Sequence, residues 1–162
     1  MTHLTPRHGA FAAGAAALLA AGTIIVGTSS AKQERTARVS EATVSVIEHA
    51  ITDTENPGVL GADVKGNILT FNNPVFNPAN TVKVGHDEGF CTRVQPGDHI
   101  WECLWTTFLA DGQITVQGPY YDNRNSVLSI TGGTGAYADS RGQMLLNSLE
   151  NGAEYDFIFQ LS

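Results

Sequence analysis

Short runs of alternating apolar and polar side chains recur along the chain after residue 40, which is the pattern of half-buried β-strands. Clusters of Gly, Pro, Asn and Asp separate these runs, and no stretch has the period and caps of an amphipathic helix. Eight strands are predicted, over residues 42–53, 67–71, 89–94, 99–110, 113–120, 126–131, 142–149 and 154–161. Residues 72–80, "NNPVFNPAN", are predicted to form a loop, because their two prolines cannot donate to a central ladder.

The connections between the later strands have hairpin length, with Asp111-Gly112 and Asn151-Gly152 as the strongest turn signals. A meander without a covering helix removes its exposed edges by closing on itself. We therefore predict an all-β domain that folds as an eight-stranded antiparallel up-and-down β-barrel. A barrel of this size encloses side chains or one small ligand. A Greek-key sandwich is the structural alternative, although only the loop in the 70s is long enough for a crossing connection.

The first 31 residues have the composition of a targeting segment. A polar start with Arg7 precedes an uncharged apolar run over residues 10–27, and Ser29-Ser30-Ala31 resembles a cleavage site. We predict a secretory signal peptide over 1–31, with a membrane anchor over residues 10–27 as the alternative. Residues 32–40 are predicted to be a disordered spacer, and residues 41–162 a single domain that is secreted or extracytoplasmic.

The charge of the domain restricts its partners. After Arg7, eight Lys and Arg residues remain against sixteen Asp and Glu residues, a net charge of −8. An acidic domain without a basic patch is not expected to bind nucleic acid or anionic lipid. The sequence does not set the oligomeric state, and a homo-oligomer is compatible with it.

The only two cysteines, Cys91 and Cys103, are equally distant from Gly97 in the turn Pro96-Gly97-Asp98. In a hairpin centred there they face each other across two strands, at a separation that a disulfide tolerates. In an exported protein a cross-strand disulfide is a reasonable expectation. Two free cysteines lining a cavity are the competing interpretation.

Alternation also selects candidate interior residues. Trp101, Cys103 and Trp105 share one face of their strand, which indicates a core or a cavity wall, the core being the commoner case. Glu102 points to the other side of the sheet. Glu48 shares a face with Val44, Val46 and Ala50, and periodicity leaves open whether that face is the inner one. If it is, a costly buried carboxylate requires a reason.

Motifs for other chemistries are weak. His49, His86 and His99 lack the spacing of a metal site, so no metal is predicted. No G-x-S-x-G elbow is present. The run "GGTGAY" lacks the lysine and helix of a phosphate-binding loop, and a tight turn that requires positive φ explains it better.

The stretch "ITVQGPYYDNRNSVLSITGGTGAYADSRGQMLL", together with "GFCTRV" and "WECLWTTF", resembles the allene oxide cyclase family and its dirigent relatives. The resemblance covers most of residues 44–161 and is strongest over 112–146. It implies an eight-stranded antiparallel barrel with an apolar cavity. Plant members of this family cyclise an unstable fatty-acid epoxide to a cyclopentenone, without a metal or an organic cofactor.

The resemblance also implies roles for individual residues. Glu48 matches a carboxylate that stabilises positive charge on the opening substrate. Asn73, Asn56 and the Pro57 carbonyl match the group that holds a water near the epoxide oxygen. Ala50 replaces a further water-holding asparagine, which puts authentic allene oxide cyclisation in doubt. The predicted substrate-binding residues are Tyr120, Cys91, Trp101, Cys103 and Trp105, and Glu102 matches an acid of the family.

Three functional hypotheses follow. The first is a cofactor-free cyclase or isomerase that folds a hydrophobic polyunsaturated or epoxide-bearing small molecule inside the barrel. The second is a non-catalytic, dirigent-like module that orients an apolar ligand or a reactive intermediate. The third is a structural barrel with a packed core, and the volume of the cavity separates it from the other two, since ligand pockets have several hundred Å³.

Overall fold

The structure is a computed structural model, and it describes residues 42–56 and 62–162. In these residues the backbone forms nine β-strands and two short 3-10 turns. The strands are β1 (Ala42–His49), β2 (Thr54–Asn56), β3 (Ile68–Phe76), β4 (Lys83–Gln95), β5 (Ile100–Leu109), β6 (Gly112–Tyr121), β7 (Ser126–Gly135), β8 (Gly142–Leu149) and β9 (Glu154–Leu161). The predicted turns at Pro96–Asp98 and around Asn151-Gly152 are the two 3-10 turns.

Eight of these strands close into an antiparallel barrel, which confirms the predicted fold. From β3 to β9 each strand pairs with the next one along the chain. β1 then joins the two ends, pairing along its length with β9 and through Ile47 and Glu48 with β3. The ninth strand, β2, is a short addition beside the start of β3.

The prediction of a loop over residues 72–80 is wrong for its first half, because β3 continues through Pro74 to Phe76. On the side away from β4, β2 pairs with residues 68–70 of β3 and β1 with residues 75 and 76. The Asn72 amide donates on that side to Thr52 Oγ1, at 2.8 Å. Since amides alternate in direction along a strand, the missing N–H of Pro74 falls in the same interval between β2 and β1, where it costs no ladder bond.

The glycines at 132–135, predicted to form a tight turn, are part of a strand. Gly132 to Gly135 continue β7 and pair with the start of β6, and the chain turns only after Gly135. Gly135 has the positive φ expected of a turn glycine, +60°. Gly133 is required for a different reason, because a Cβ there would lie 2.4 Å from the Gln113 carbonyl oxygen. Close approach of two backbones, rather than turn conformation, explains that glycine.

The interior of the barrel is apolar over most of its depth. Its fully buried members include Val75, Ile114, Val116, Met144 and Phe159, all at 0 % exposure. Cys91 and Cys103 are register partners on β4 and β5 and form a disulfide, with Cα atoms 4.0 Å apart. The barrel end at which β1 finishes and β9 begins is called the mouth below.

The predicted signal segment (1–31) and spacer (32–40) lie outside the described residues. Over the ranges that are described, we find no helix with the length and apolar composition needed to cross a membrane. Export remains a prediction from the sequence.

Candidate functional site

A small cavity lies inside the mouth of the barrel. Its volume is about 40 Å³, room for a few water molecules. This is far smaller than the several hundred Å³ of a typical ligand pocket, so the volume in this conformation matches the packed-core hypothesis, and a ligand-binding role requires the cavity to open. The wall is mostly aromatic and aliphatic, with two carboxyl groups and the disulfide, and it consists of Glu48, Asp53, Leu69, Phe71, Cys91, Cys103, Trp105, Tyr120, Leu146, Tyr155 and Phe157.

Glu48 is the most unusual residue of this wall. Near its end, β1 turns Val46 and Glu48 toward the barrel interior, and the Glu48 side chain is only 5 % exposed. Its register partners are Tyr155 on β9 and Val75 on β3. The inner-face interpretation of Glu48 is therefore the one that the structure shows. A carboxyl buried at this depth must be hydrogen-bonded or protonated.

Asn73 on β3 supplies the hydrogen bonds that hold this carboxyl. Its Nδ2 donates to Glu48 Oε1 and to Asp53 Oδ1, both at 2.7 Å. Its Oδ1 accepts from the Ile51 and Thr52 amides and from Thr52 Oγ1, at 2.9–3.1 Å. Asn73 thus fixes the turn after β1 and Glu48 together. The resemblance assigned Asn73 to a water, whereas here both of its donors bind carboxylates.

Asp87 is a second buried carboxyl in this network. It lies on β4 opposite Asn73, its Oδ1 accepts from the Asn73 amide at 3.3 Å, and it is 0 % exposed. Burial, with repulsion from Glu48, raises the pKa of Asp87 well above its usual value. Burial also raises the pKa of Glu48 to about 7, although the hydrogen bond from Asn73 lowers it. The two buried carboxyls therefore titrate as a coupled pair, and burial favours the protonated form of each.

Asp53 brings a third carboxyl to the cavity. It follows β1, is exposed at the mouth, and accepts the second Nδ2 hydrogen of Asn73. Among the residues that the structure describes, no group of three or more His, Cys, Asp or Glu side chains could hold a metal ion. The Asn73 amide bonds to both Glu48 and Asp53 at the mouth.

Two tyrosines face each other across the cavity. The Tyr120 and Tyr155 hydroxyls lie 2.8 Å apart, and the rings meet edge to face. Burial, together with the mutual hydrogen bond, raises the pKa of Tyr120, and burial raises that of Tyr155. Both hydroxyls are therefore neutral over the physiological range.

The predicted substrate-binding residues are divided between two places. Tyr120, Cys91, Cys103 and Trp105 line the cavity. Trp101 faces inward but lies outside the cavity wall, toward the rim.

Trp101 belongs to a separate polar cluster. Its Nε1 donates to Asp122 Oδ1 at 2.8 Å, and the Arg93 guanidinium lies 4.0 Å above its ring. Arg93 in turn pairs with Asp63 and Asp122, at 2.7 and 2.6 Å. Alternation placed Trp101 on the correct face but could not reveal this rim cluster.

The other residues implied by the resemblance are not gathered at the cavity. Asn56 is exposed on β2, opposite Ile68 of β3. Pro57 lies outside the described residues. Ala50 follows β1, where its amide donates to the Ala153 carbonyl at 3.0 Å. Glu102 is exposed on the outer face of β5.

Sequence reasoning missed Asp87, Asp53 and Tyr155. The signal for Asp87 was present, because it shares the alternating face of β4 with Cys91 and Arg93. Tyr155 likewise alternates with the buried Phe157 and Phe159 on β9. Asp53 lies in a turn, where alternation gives no direction.

The chain is a closed antiparallel β-barrel that places a buried carboxyl beside a small apolar cavity. A family model described as allene oxide cyclase matches residues 35–161. The chain belongs to the allene oxide cyclase family.

Solved structures of related barrels resemble this chain. A pyocyanin demethylase superposes with a TM-score of 0.63 at 22% identity, covering 75% of this chain and 100% of that one. An exo-specific intermolecular Diels-Alderase gives 0.62 at 17% identity, covering 75% and 98%. A pterocarpan synthase dirigent protein gives 0.60 at 17% identity, covering 75% and 96%. Identities this low show the shared barrel fold.

Proposed function

We propose that this protein is a barrel cyclase or isomerase that closes a ring in a hydrophobic small molecule held at the mouth cavity. The observation that carries the proposal is Glu48, a carboxyl that is 5 % exposed and lies in a wall of Trp105, Phe71 and Phe157. Family membership supports a cyclase, and barrels of this fold include a protein described as a Diels-Alderase.

The wall and the carboxyl have separate tasks in this mechanism. Apolar side chains hold one folded conformer of the substrate in a water-poor space, which supplies proximity and orientation. The Glu48 carboxylate stabilises positive charge that develops on the substrate carbon framework during closure. Because the pKa of Glu48 is about 7, the fraction of carboxylate rises through neutral pH.

Substrate entry requires side chains to move, because the cavity of about 40 Å³ is too small for a polyunsaturated molecule. Four apolar or aromatic wall residues are only partly buried: Leu69, Phe71, Tyr120 and Tyr155. Rotation of these side chains enlarges the cavity without disturbing the ladder beneath them.

A dirigent-like binding role is the second candidate, and the bonding of Asn73 favours it. Both donors of Asn73 are occupied by Glu48 and Asp53, and Ala50 replaces the other asparagine that the family uses to hold a water. A site without that water stabilises a departing oxygen less well. Under this role the barrel orients a reactive intermediate, and Glu48 has no catalytic task.

The test uses a short-lived fatty-acid allene oxide, supplied as free acid and as methyl ester, with product chirality as the readout. With the methyl ester, wild-type protein is expected to give one enantiomer in excess, Glu48→Gln a nearly racemic product, and the exposed-site control Glu102→Gln the wild-type excess. Equal enrichment by wild type and Glu48→Gln would establish the orienting role. Racemic product from every protein with both substrates would overturn both candidates for this substrate class.

A further inference from the structure

The charged side chains that line the mouth cavity are all acidic. Glu48 and Asp53 lie in its wall. The charged groups that act on the Tyr120 and Tyr155 hydroxyls are Asp53 and Asp122, with Glu48 acting on Tyr155 as well. Neither Lys, Arg nor His occurs among the described residues that line the cavity.

Three basic side chains at the mouth end, Arg93, His49 and His99, lie beside carboxylates, and a fourth, Arg124, lies over the outward-facing ring of Tyr121. Arg93 is 6 % exposed, with Asp63 and Asp122 on its guanidinium and Trp101 against its face. His49 Nε2 lies 2.7 Å from Asn80 Oδ1 and 3.2 Å from Glu154 Oε1. A ligand carboxylate entering the cavity therefore meets negative charge without a described basic partner for it.

The other side chains of the cavity wall favour a positively charged ligand. Five aromatic side chains line the cavity: Phe71, Trp105, Tyr120, Tyr155 and Phe157. The faces of aromatic rings attract weakly hydrated cations, most strongly where water is excluded. Carboxylates and aromatic rings are the two kinds of group that recognise an organic cation, and both line this cavity.

We propose that the cavity selects an apolar organic cation, such as a quaternary or ring-nitrogen compound, over neutral and anionic molecules of the same shape. The inference deepens the proposed function and rests on it, since it names the charge class of the molecule that the barrel holds. It also separates this chain from a cyclase that accepts a free fatty acid.

Three small probes of similar shape test the charge selection: N-methylpyridinium, toluene and benzoate. Each is titrated into the full-length chain and followed by nitrogen–proton NMR of the two tryptophan indoles. The Trp105 indole reports on the cavity wall, whereas the Trp101 indole is bonded to Asp122 outside it and serves as an internal control. Mildly alkaline buffer, above the Glu48 pKa of about 7, keeps Glu48 largely ionised.

N-methylpyridinium is expected to shift Trp105 and to bind about tenfold more tightly than toluene, with benzoate weaker than both. Glu48→Gln and Asp53→Asn should each reduce the preference for the cation by about threefold or more, while the affinity for toluene stays unchanged. Both substitutions keep an oxygen for Asn73 to bond. Asp156→Asn removes one carboxyl from β9, on the face opposite Tyr155 and Phe157, and should leave the preference intact.

The outcomes separate the two proposals. Binding of toluene or benzoate as tight as that of the cation would overturn charge selection and leave the apolar cavity of the proposed function in place. A cation preference that survives in the Glu48→Gln/Asp53→Asn double variant would also overturn it. If none of the three probes shifts Trp105, the cavity is not a binding site, and both proposals fail.

Discussion

The Nδ2 atom of Asn73 lies 2.7 Å from Glu48 Oε1, and the same nitrogen lies 2.7 Å from Asp53 Oδ1. One neutral amide thus holds two carboxyls at the end of β1 while its oxygen fixes the following turn. Charge at the cavity is positioned by this amide, so the site and the local fold depend on the same residue.

Replacement of Asn73 by alanine should therefore be severely destabilising. It leaves Glu48, Asp53 and the Ile51 and Thr52 amides without their partner, and we expect a loss of about 3–5 kcal/mol in the free energy of unfolding. Urea denaturation measures it. The neighbouring Asn72→Ala is the matched control, because Asn72 is exposed and its side chain bonds only to Glu88 among the described contacts, at 3.1 Å. That variant should lose no more than about 0.5 kcal/mol, and a similarly small loss for Asn73→Ala would contradict the network.

The raised pKa of Glu48 predicts how stability changes with pH. The folded state keeps the Glu48 proton up to about pH 7, whereas the unfolded chain releases it near 4.5. Between these values the folded state binds more protons, so stability attributable to this group is full below 4.5 and falls as pH rises through 7. The total is on the order of 3 kcal/mol.

The measurement is the free energy of unfolding against pH for wild type and Glu48→Gln. Between pH 4.5 and about 7 the wild type should lose stability relative to the variant. Part of this loss comes from the repulsion between Glu48 and Asp87, which the variant lacks. Glu102→Gln should follow the wild-type curve. Parallel curves for wild type and Glu48→Gln would show that Glu48 titrates normally.

Much of the barrel could be predicted because alternation and short turns determine it. The misplaced loop at residues 72–80 shows the limit of that reasoning. A proline disrupts a sheet only at a position whose N–H would donate a ladder bond. Pro74 lies in the gap between β2 and β1, and that gap depends on pairings between residues far apart in the sequence.

The site was only partly predictable for a related reason. Glu48 stood out because a carboxyl interrupts an apolar strand, but its inward direction depends on the register with β9 and β3. Asn73 and Asp87 are brought together by the β3–β4 register, which no local pattern reveals. The Asn73 side-chain amide has all its hydrogen bonds filled because the turn after β1 brings Ile51, Thr52 and Asp53 to it.

The disulfide between Cys91 and Cys103 predicts a response to reductant. It closes a loop with a sequence separation of 12, and removing such a link costs about 3 kcal/mol in the chain-entropy description. The Cys91→Ala/Cys103→Ala double variant should lose about that amount in urea denaturation. Reductant should lower the stability of the wild type similarly and leave the double variant unchanged. A wild type that is insensitive to reductant under unfolding conditions would show that the cysteines are not bridged.

The pairing of Tyr120 and Tyr155 can be measured by a double-mutant cycle. Each Phe substitution removes one hydroxyl and leaves the other without its partner at 2.8 Å, so each should cost about 1 kcal/mol. The double variant should cost less than the sum, with a coupling of about 0.5–1.5 kcal/mol. Tyr121→Phe paired with Tyr155→Phe is the control cycle, because Tyr121 faces outward and lies under the Arg124 guanidinium at 3.8 Å. Its coupling should be near zero, and equal coupling in the two cycles would mean that the hydroxyl contact contributes nothing specific.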